Sequence, residues 1–228
     1  PFFSDSSKLP DFRASGTLSV GQFSVAQLPL EKFTAHVQVG EKALLVSQIN
    51  AKLAGGTAQG EWHADWSTSR PRFTATGSAS GVAMDHLDLK QTNVALATAW
   101  VSGHADLNYA LKFEGGTPQE MADSVSGRVE YVINNGVSRS LLLDGDKPFK
   151  FQSLEGALEI DKQVLRVLPS KFRAENRIYE MSGTVSLVDM QTKLKVSNSG
   201  SHWNVSGALD KPVIAASPHI EAAAARAQ

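Results

Sequence analysis

The chain has 228 residues, 42% of them hydrophobic and 20% charged, with a formal net charge of -1 and no cysteine. That length buries a sizeable core in one large β domain or two smaller ones, and the balanced charge argues against a general nucleic-acid binder, which carries a basic surplus or stripe. The lack of thiols excludes disulfides and thiolate metal sites, and no window reaches the roughly 18–20 continuous apolar residues of a membrane-spanning helix.

The dominant signal along the chain is alternation with period two, which puts successive side chains on opposite faces of a sheet. Near the start the apolar parity flips around Gly21, from Leu18 and Val20 to Phe23 and Val25, as a β-bulge would make it do. Phe33, Ala35, Val37 and Val39 then alternate with Thr34, His36 and Gln38. Gly40-Glu41-Lys42 and Gly55-Gly56 punctuate the next runs, where glycine tolerates positive φ. Trp62 and Trp66 share parity with Ala64, which suits either core packing or the lining of a groove. Gly77-Ser78-Ala79-Ser80-Gly81 lacks serine at the centre of a nucleophile elbow and reads as a strand end or a bulge. The Ala-rich stretch from Asn93 to Ala99 is a poorly marked strand.

Beyond it, Ala105, Leu107, Tyr109, Leu111 and Phe113 line one face, and Gly115-Gly116 ends the run. Thr117-Pro118-Gln119-Glu120 has capping-box spacing with proline at the first helical position, which predicts a short helix over about 117–123. Alternation resumes through Val125, Val129, Tyr131 and Ile133 to an expected turn at Asn134-Asn135-Gly136. A second turn is expected at Asp144-Gly145-Asp146, where Lys147-Pro148 follow and no glutamate closes a calcium loop. Leu154, Leu158 and Ile160, then Val185 with Leu187, then Trp203, Val205 and Leu209 complete the strand pattern. Ser217-Pro218 followed by an alanine run predicts a terminal helix over 217–228.

The pattern predicts about twelve to fourteen mainly antiparallel strands, since the short connections cannot accommodate parallel crossovers. It fits a mainly all-β chain, either a long curved sheet forming a half-pipe or a β-sandwich. Ser15-Gly16-Thr17-Leu18-Ser19-Val20 is echoed by Ser126-Gly127-Arg128-Val129-Glu130-Tyr131. The chain is therefore either one undivided elongated domain over 1–228 or a domain of two structural repeats, 12–113 and 117–214.

No constellation for catalysis emerges. His36, His63, His86, His104, His202 and His219 are scattered without ligand spacing, and Asp85-His86-Leu87-Asp88 is best read as a solvated loop. No phosphate-binding glycine loop is present. The expectation is a non-enzymatic protein without metal or cofactor.

The segments Phe151-Gln152-Ser153-Leu154-Glu155-Gly156, Leu158-Glu159-Ile160, Val164-Leu165 and Met181-Ser182-Gly183-Thr184-Val185-Ser186-Leu187 resemble the closing module of AsmA-like proteins. Leu194-Lys195-Val196 and the run from Val205 to Ile214 continue the likeness, and Leu53 to Gly60 is similar to the family's glycine-rich hairpin. The resemblance covers about Phe12 to Ile214 and brings no catalytic residue with it. It implies a Gram-negative envelope protein, anchored in the inner membrane by a segment upstream of Pro1 and extending into the periplasm. AsmA-like proteins and their TamB-like relatives are associated with outer-membrane biogenesis and glycerophospholipid movement between membranes. The implied partners are phospholipid acyl chains, shielded in an apolar β groove. Leu158, Ile160, Leu165, Val185, Leu187 and Leu194 are the expected lipid-facing residues. The alternative is a structural or protein-interaction scaffold of the envelope that touches no lipid.

Overall fold

The computed structural model describes residues 13–25, 28–87, 101–143, 147–209 and 211–217. Thirteen strands follow one another: β1 (Ala14–Val25), β2 (Leu28–Val39), β3 (Ala43–Leu53), β4 (Gly56–Asp65), β5 (Arg72–Ala83), β6 (Val101–Glu114), β7 (Ser126–Ser138), β8 (Phe149–Asp161), β9 (Val164–Ala174), β10 (Arg177–Ser186), β11 (Gln191–Ser197), β12 (His202–Ala208) and β13 (Val213–Ser217). Each pairs antiparallel with its sequence neighbours in a single open sheet, ordered β1 to β13. A sandwich of two sheets is thereby excluded among the described residues. The two halves that the sequence echo suggests run on into each other through the β6–β7 ladder.

Local chemistry explains the meander. Ala54 and Gly55 join β3 to β4 with φ of 45° and 81°, and Lys162 and Gln163 join β8 to β9 with φ of 45° and 69°. Paired left-handed residues are what a type I′ hairpin needs, because its twist matches that of the strands. Between β6 and β7 lies α1 (Pro118–Ser124), started by the expected capping box. The Thr117 hydroxyl accepts from the Glu120 amide at 3.2 Å, and the Glu120 carboxylate accepts from the Thr117 amide at 3.3 Å.

Several strands bend without ending. Gln48 (φ 53°) marks a bulge in β3, and Ser80-Gly81 one in β5. Leu168-Pro169 form a third in β9, a bulge being one of the few places in a sheet that tolerates proline's missing N–H. Each extra residue lets apolar side chains an odd number of positions apart face the same way, as Ala79 and Val82 or Val167 and Phe172 do.

Two sequence expectations need correcting. Asn134-Asn135-Gly136 is no turn: it lies inside β7, where Asn135 (φ 52°) and Gly136 together oppose Gly103. A hairpin turn and a bulge both use a left-handed residue, here Asn135, so the dipeptide cannot tell them apart. At Gly21 the parity does flip, but no residue is inserted against β2, since Val20 faces Phe33 and Gln22 faces Glu31. Lys32 takes a left-handed φ of 50° opposite Gly21, so both strands turn over together and keep register. The poorly marked strand at Asn93–Ala99, the turn at Asp144–Asp146 and the helix from Pro218 onward lie outside the described residues, while Ser217 ends β13.

Burial shows how one layer makes a core. Phe172 is 0% exposed, Tyr179 1% and Val205 1%. A flat single sheet cannot dry its own face, so this sheet curls until side chains from β6 to β12 pack on one another. Leu141 and Leu143, in the β7–β8 connection, and Phe149 and Phe151, at the start of β8, join that cluster. A smaller, separate cluster of Phe33, Ala35 and Ala51 serves β1 to β3.

Candidate functional site

Directly opposed residues of an antiparallel ladder share a face, so the registers define continuous rows across the sheet. One row runs Gly16, Val37, Val46, Trp62, Ala75, Leu111, Gly127, Ile160, Leu165, Val185, Thr192, Gly207, from β1 to β12. Beside it runs Ile49, Gly60, Gly77, Tyr109, Val129, Leu158, Val167, Gly183, Leu194, Val205, Ile214, from β3 to β13. Neither row holds a charged residue. The other face carries Glu61, Thr76, Ala110, Arg128, Glu159, Arg166, Thr184, Lys193 and Ser206 in one row. There Arg128 pairs with Glu130 at 3.1 Å and with Glu159 at 3.7 Å, and Arg166 reaches Glu159 at 3.3 Å.

Glycines on the apolar face make room for large neighbours. A side chain at Gly77 would meet the Tyr109 hydroxyl at 2.6 Å, and one at Gly156 would meet the Tyr131 hydroxyl at 2.9 Å. The two tyrosines, on adjacent strands, thus lie across the sheet in opposite directions. Tyr131 donates to the Ser170 hydroxyl at 2.9 Å, and burial raises its pKa against the weaker pull of that bond. Trp62, Phe73 and Phe113 form a stacked ladder with centroids 5.7 and 5.1 Å apart. Trp66 leaves that line: its indole N–H donates to the Glu41 carbonyl at 3.3 Å, clasping the β2–β3 turn.

The two ends of the apolar face differ. In the C-terminal half it is filled by its own side chains: Val185 is 6% and Leu194 3% exposed, while Leu158 and Leu165 pack partly buried against the same cluster. Ile160 and Leu187 are half-buried, and the Leu187 amide donates to the Gln163 carbonyl at 2.7 Å beyond the end of β10. Five of these six residues, Leu187 excepted, stand in the two rows, so the sheet does bring them together. In the N-terminal half Val37, Val46, Trp62, Ala75 and Leu111 remain only half-buried. Those five are the half-buried side chains of the row on its N-terminal side. Parity marks Val37, Trp62 and Leu111 as apolar-face residues, but the alignment of all five depends on four successive registers, from β2 to β6.

Thr192 is the anomaly of the first row. It is 1% exposed and its hydroxyl has no hydrogen-bond partner. A buried polar group without a partner costs about 1–3 kcal/mol. Thr192→Val, which keeps the shape and removes that hydroxyl, is expected to stabilise the protein by about 1 kcal/mol, raising Tm by about 2–4 °C. An unchanged or lowered Tm in calorimetry would show that the hydroxyl is satisfied in solution.

On the polar face a shallow depression of about 670 Å³ lies above β5 to β9, lined by Ser80, Asp106, Asn108, Arg128, Glu130 and Glu155 among others. Its charges serve the fold. Asp106 accepts from the Ser80 hydroxyl at 2.6 Å and the Gly81 amide at 2.8 Å, fastening the β5 bulge, and these bonds hold its carboxyl below the usual range. Arg128 is committed to its two glutamates. Among the described residues no group of three or more His, Asp or Glu side chains is placed to hold a metal, and no helix is long and apolar enough to cross a membrane. Comparison with protein-family models, curated proteins and solved structures finds no match to this chain.

Proposed function

We propose that this chain is an AsmA-like periplasmic domain that shields phospholipid acyl chains on the apolar face of its curled sheet, without catalysis, in outer-membrane biogenesis and lipid movement between membranes. The observation that carries the reading is the charge-free row from Gly16 to Gly207, backed on the opposite face by paired charges. An acyl chain laid along such a row gains about 0.8 kcal/mol per buried CH₂ and needs no specific polar contact. The half-buried stretch from Val37 to Leu111 offers the place, with Trp62 at its centre. Val185 and Leu194, expected from the resemblance to face lipid, are packed core in this arrangement.

The test is lipid binding from phospholipid vesicles, read by quenching of Trp62 fluorescence with brominated acyl chains in a variant whose other tryptophans are phenylalanine. Quenching is expected, and Val46→Asp with Leu111→Asp should reduce bound phospholipid by at least about tenfold, since placing charges in an apolar site costs more than 1.4 kcal/mol. Glu61→Lys on the polar face should leave it unchanged. Unquenched Trp62, with no phospholipid found by mass spectrometry, would sink the reading. The self-filled C-terminal half supports the second reading, an envelope scaffold without lipid; stoichiometric capture of an envelope protein by lipid-free chain would favour it.

A further inference from the structure

Tyr109 sets a polar atom in the middle of the apolar face. Its register partner on β5 is Gly77, which in turn faces Gly60 on β4. A methyl group added at Gly77 would stand 2.6 Å from the Tyr109 hydroxyl, and one at Gly60 3.2 Å from it. The ring therefore lies across β5 and delivers its hydroxyl to β4. The flanking rows on these strands are Trp62, Ala75 and Leu111 on one side and Ala58, Ala79 and Leu107 on the other. None of the six is charged, and only the Trp62 indole has a polar side-chain atom. The tyrosine on the next strand is satisfied, because Tyr131 donates to Ser170 at 2.9 Å. The Tyr109 hydroxyl has no hydrogen-bond partner among the described residues. Tyr109 is half-buried, and unlike the hydroxyl of Thr192 its own is not sealed from solvent.

We infer that the Tyr109 hydroxyl donates a hydrogen bond to the carbonyl oxygen of a neutral acyl ester, and so selects esterified lipid over free fatty acid and plain hydrocarbon. The inference rests on the proposed binding of acyl chains to this same face. Hydrocarbon laid over the hydroxyl would strip its water and return no acceptor. A carboxylate would bring an acceptor but also a charge, and no cation stands in these rows to meet it. An ester carbonyl supplies the acceptor without the charge, while its chain covers the flanking side chains. Burial raises the pKa of the phenol, which keeps its proton and can donate it to such an oxygen.

Quenching of Trp62 by phosphatidylcholine with brominated chains gives the test, comparing ester-linked with ether-linked chains in the variant that keeps Trp62 as its only tryptophan. Tyr109→Phe, which removes only the hydroxyl, is expected to weaken binding of the ester-linked lipid about three- to tenfold, the worth of one neutral hydrogen bond. The ether-linked lipid, without a carbonyl, should change by less than about twofold. Brominated stearate held as its anion should bind more weakly than its methyl ester, and should lose nothing with Tyr109→Phe. Ester-linked lipid that quenches Trp62 equally with and without the hydroxyl would overturn the inference and leave the acyl-binding reading standing. An equal loss for ester, ether and anion would also overturn it, since the substitution would then have disturbed the face and not a specific bond. Unquenched Trp62 with every lipid would remove both the inference and the reading beneath it.

Discussion

Phe172→Ala is expected to destabilise the C-terminal half of the sheet by about 3–5 kcal/mol, the usual range for emptying a buried phenylalanine site. Phe172 is fully buried and meets Phe149 and Phe151 edge-on, with centroids 5.8 and 5.4 Å away. It also lies between Leu154 of β8 and Tyr179 of β10 in the ladder. These partners stand on the paired strands β8 and β10, so collapse around the cavity is limited and the cavity contribution stays large. Trp203, 5.9 Å from Tyr179, gives a local fluorescence readout during urea unfolding. Hydrogen exchange should show the loss confined to β6–β12, because the cluster of Phe33, Ala35 and Ala51 packs separately. Loss of protection throughout β1–β3 to the same degree would mean that the sheet is a single cooperative unit and that the division into two clusters has no energetic meaning.

Gly183→Ala is expected to be comparably harmful, at about 2–6 kcal/mol, for a different reason. Gly183 has φ 147°, a conformation that side-chain-bearing residues rarely adopt, and an added Cβ would run into the Lys193 carbonyl oxygen and come within 2.8 Å of Leu194 Cα. Both obstacles are backbone, so relief requires β10 and β11 to part where Gly183 opposes Leu194. Gly127 repeats the geometry between β7 and β6, with φ 147° and Leu111 Cα at 2.9 Å. Gly16→Ala is the control: nothing lies within 4 Å of its added methyl group, and stability should stay within about 0.5 kcal/mol. Chemical denaturation of the three variants decides the matter. Equal effects at Gly183 and Gly16 would show that strand propensity, and not close approach of backbones, governs these glycines.

Much of this was legible in the residues. The alternation of Ala105 to Phe113 and of Phe33 to Val39 specified strands, and Thr117 to Glu120 specified the helix, because each depends on contacts within a few residues. The bulge at Ser80-Gly81 was foreshadowed by its glycines and small side chains, although the carboxylate that fastens it, Asp106, comes from another strand. The six residues proposed for the lipid face were selected by parity, and parity does place five of them in adjacent rows. Their exposure was not legible. Whether Val185 and Leu194 meet solvent or one another depends on how tightly the sheet curls and on where Leu141 and Leu143 fold back.

The sequence alone determined that the chain would form antiparallel strands with one oily and one polar side, since pleating assigns alternate residues to opposite faces whatever the strand's neighbours. Only the tertiary structure decided that thirteen strands share one layer, that an uncharged row crosses twelve of them, and that the row is buried at Val185 and Thr192 and only half-buried from Val37 to Leu165. Those outcomes depend on how separate strands register and on how far the whole sheet bends, and both sum small bulges and twists from residues far apart in the chain.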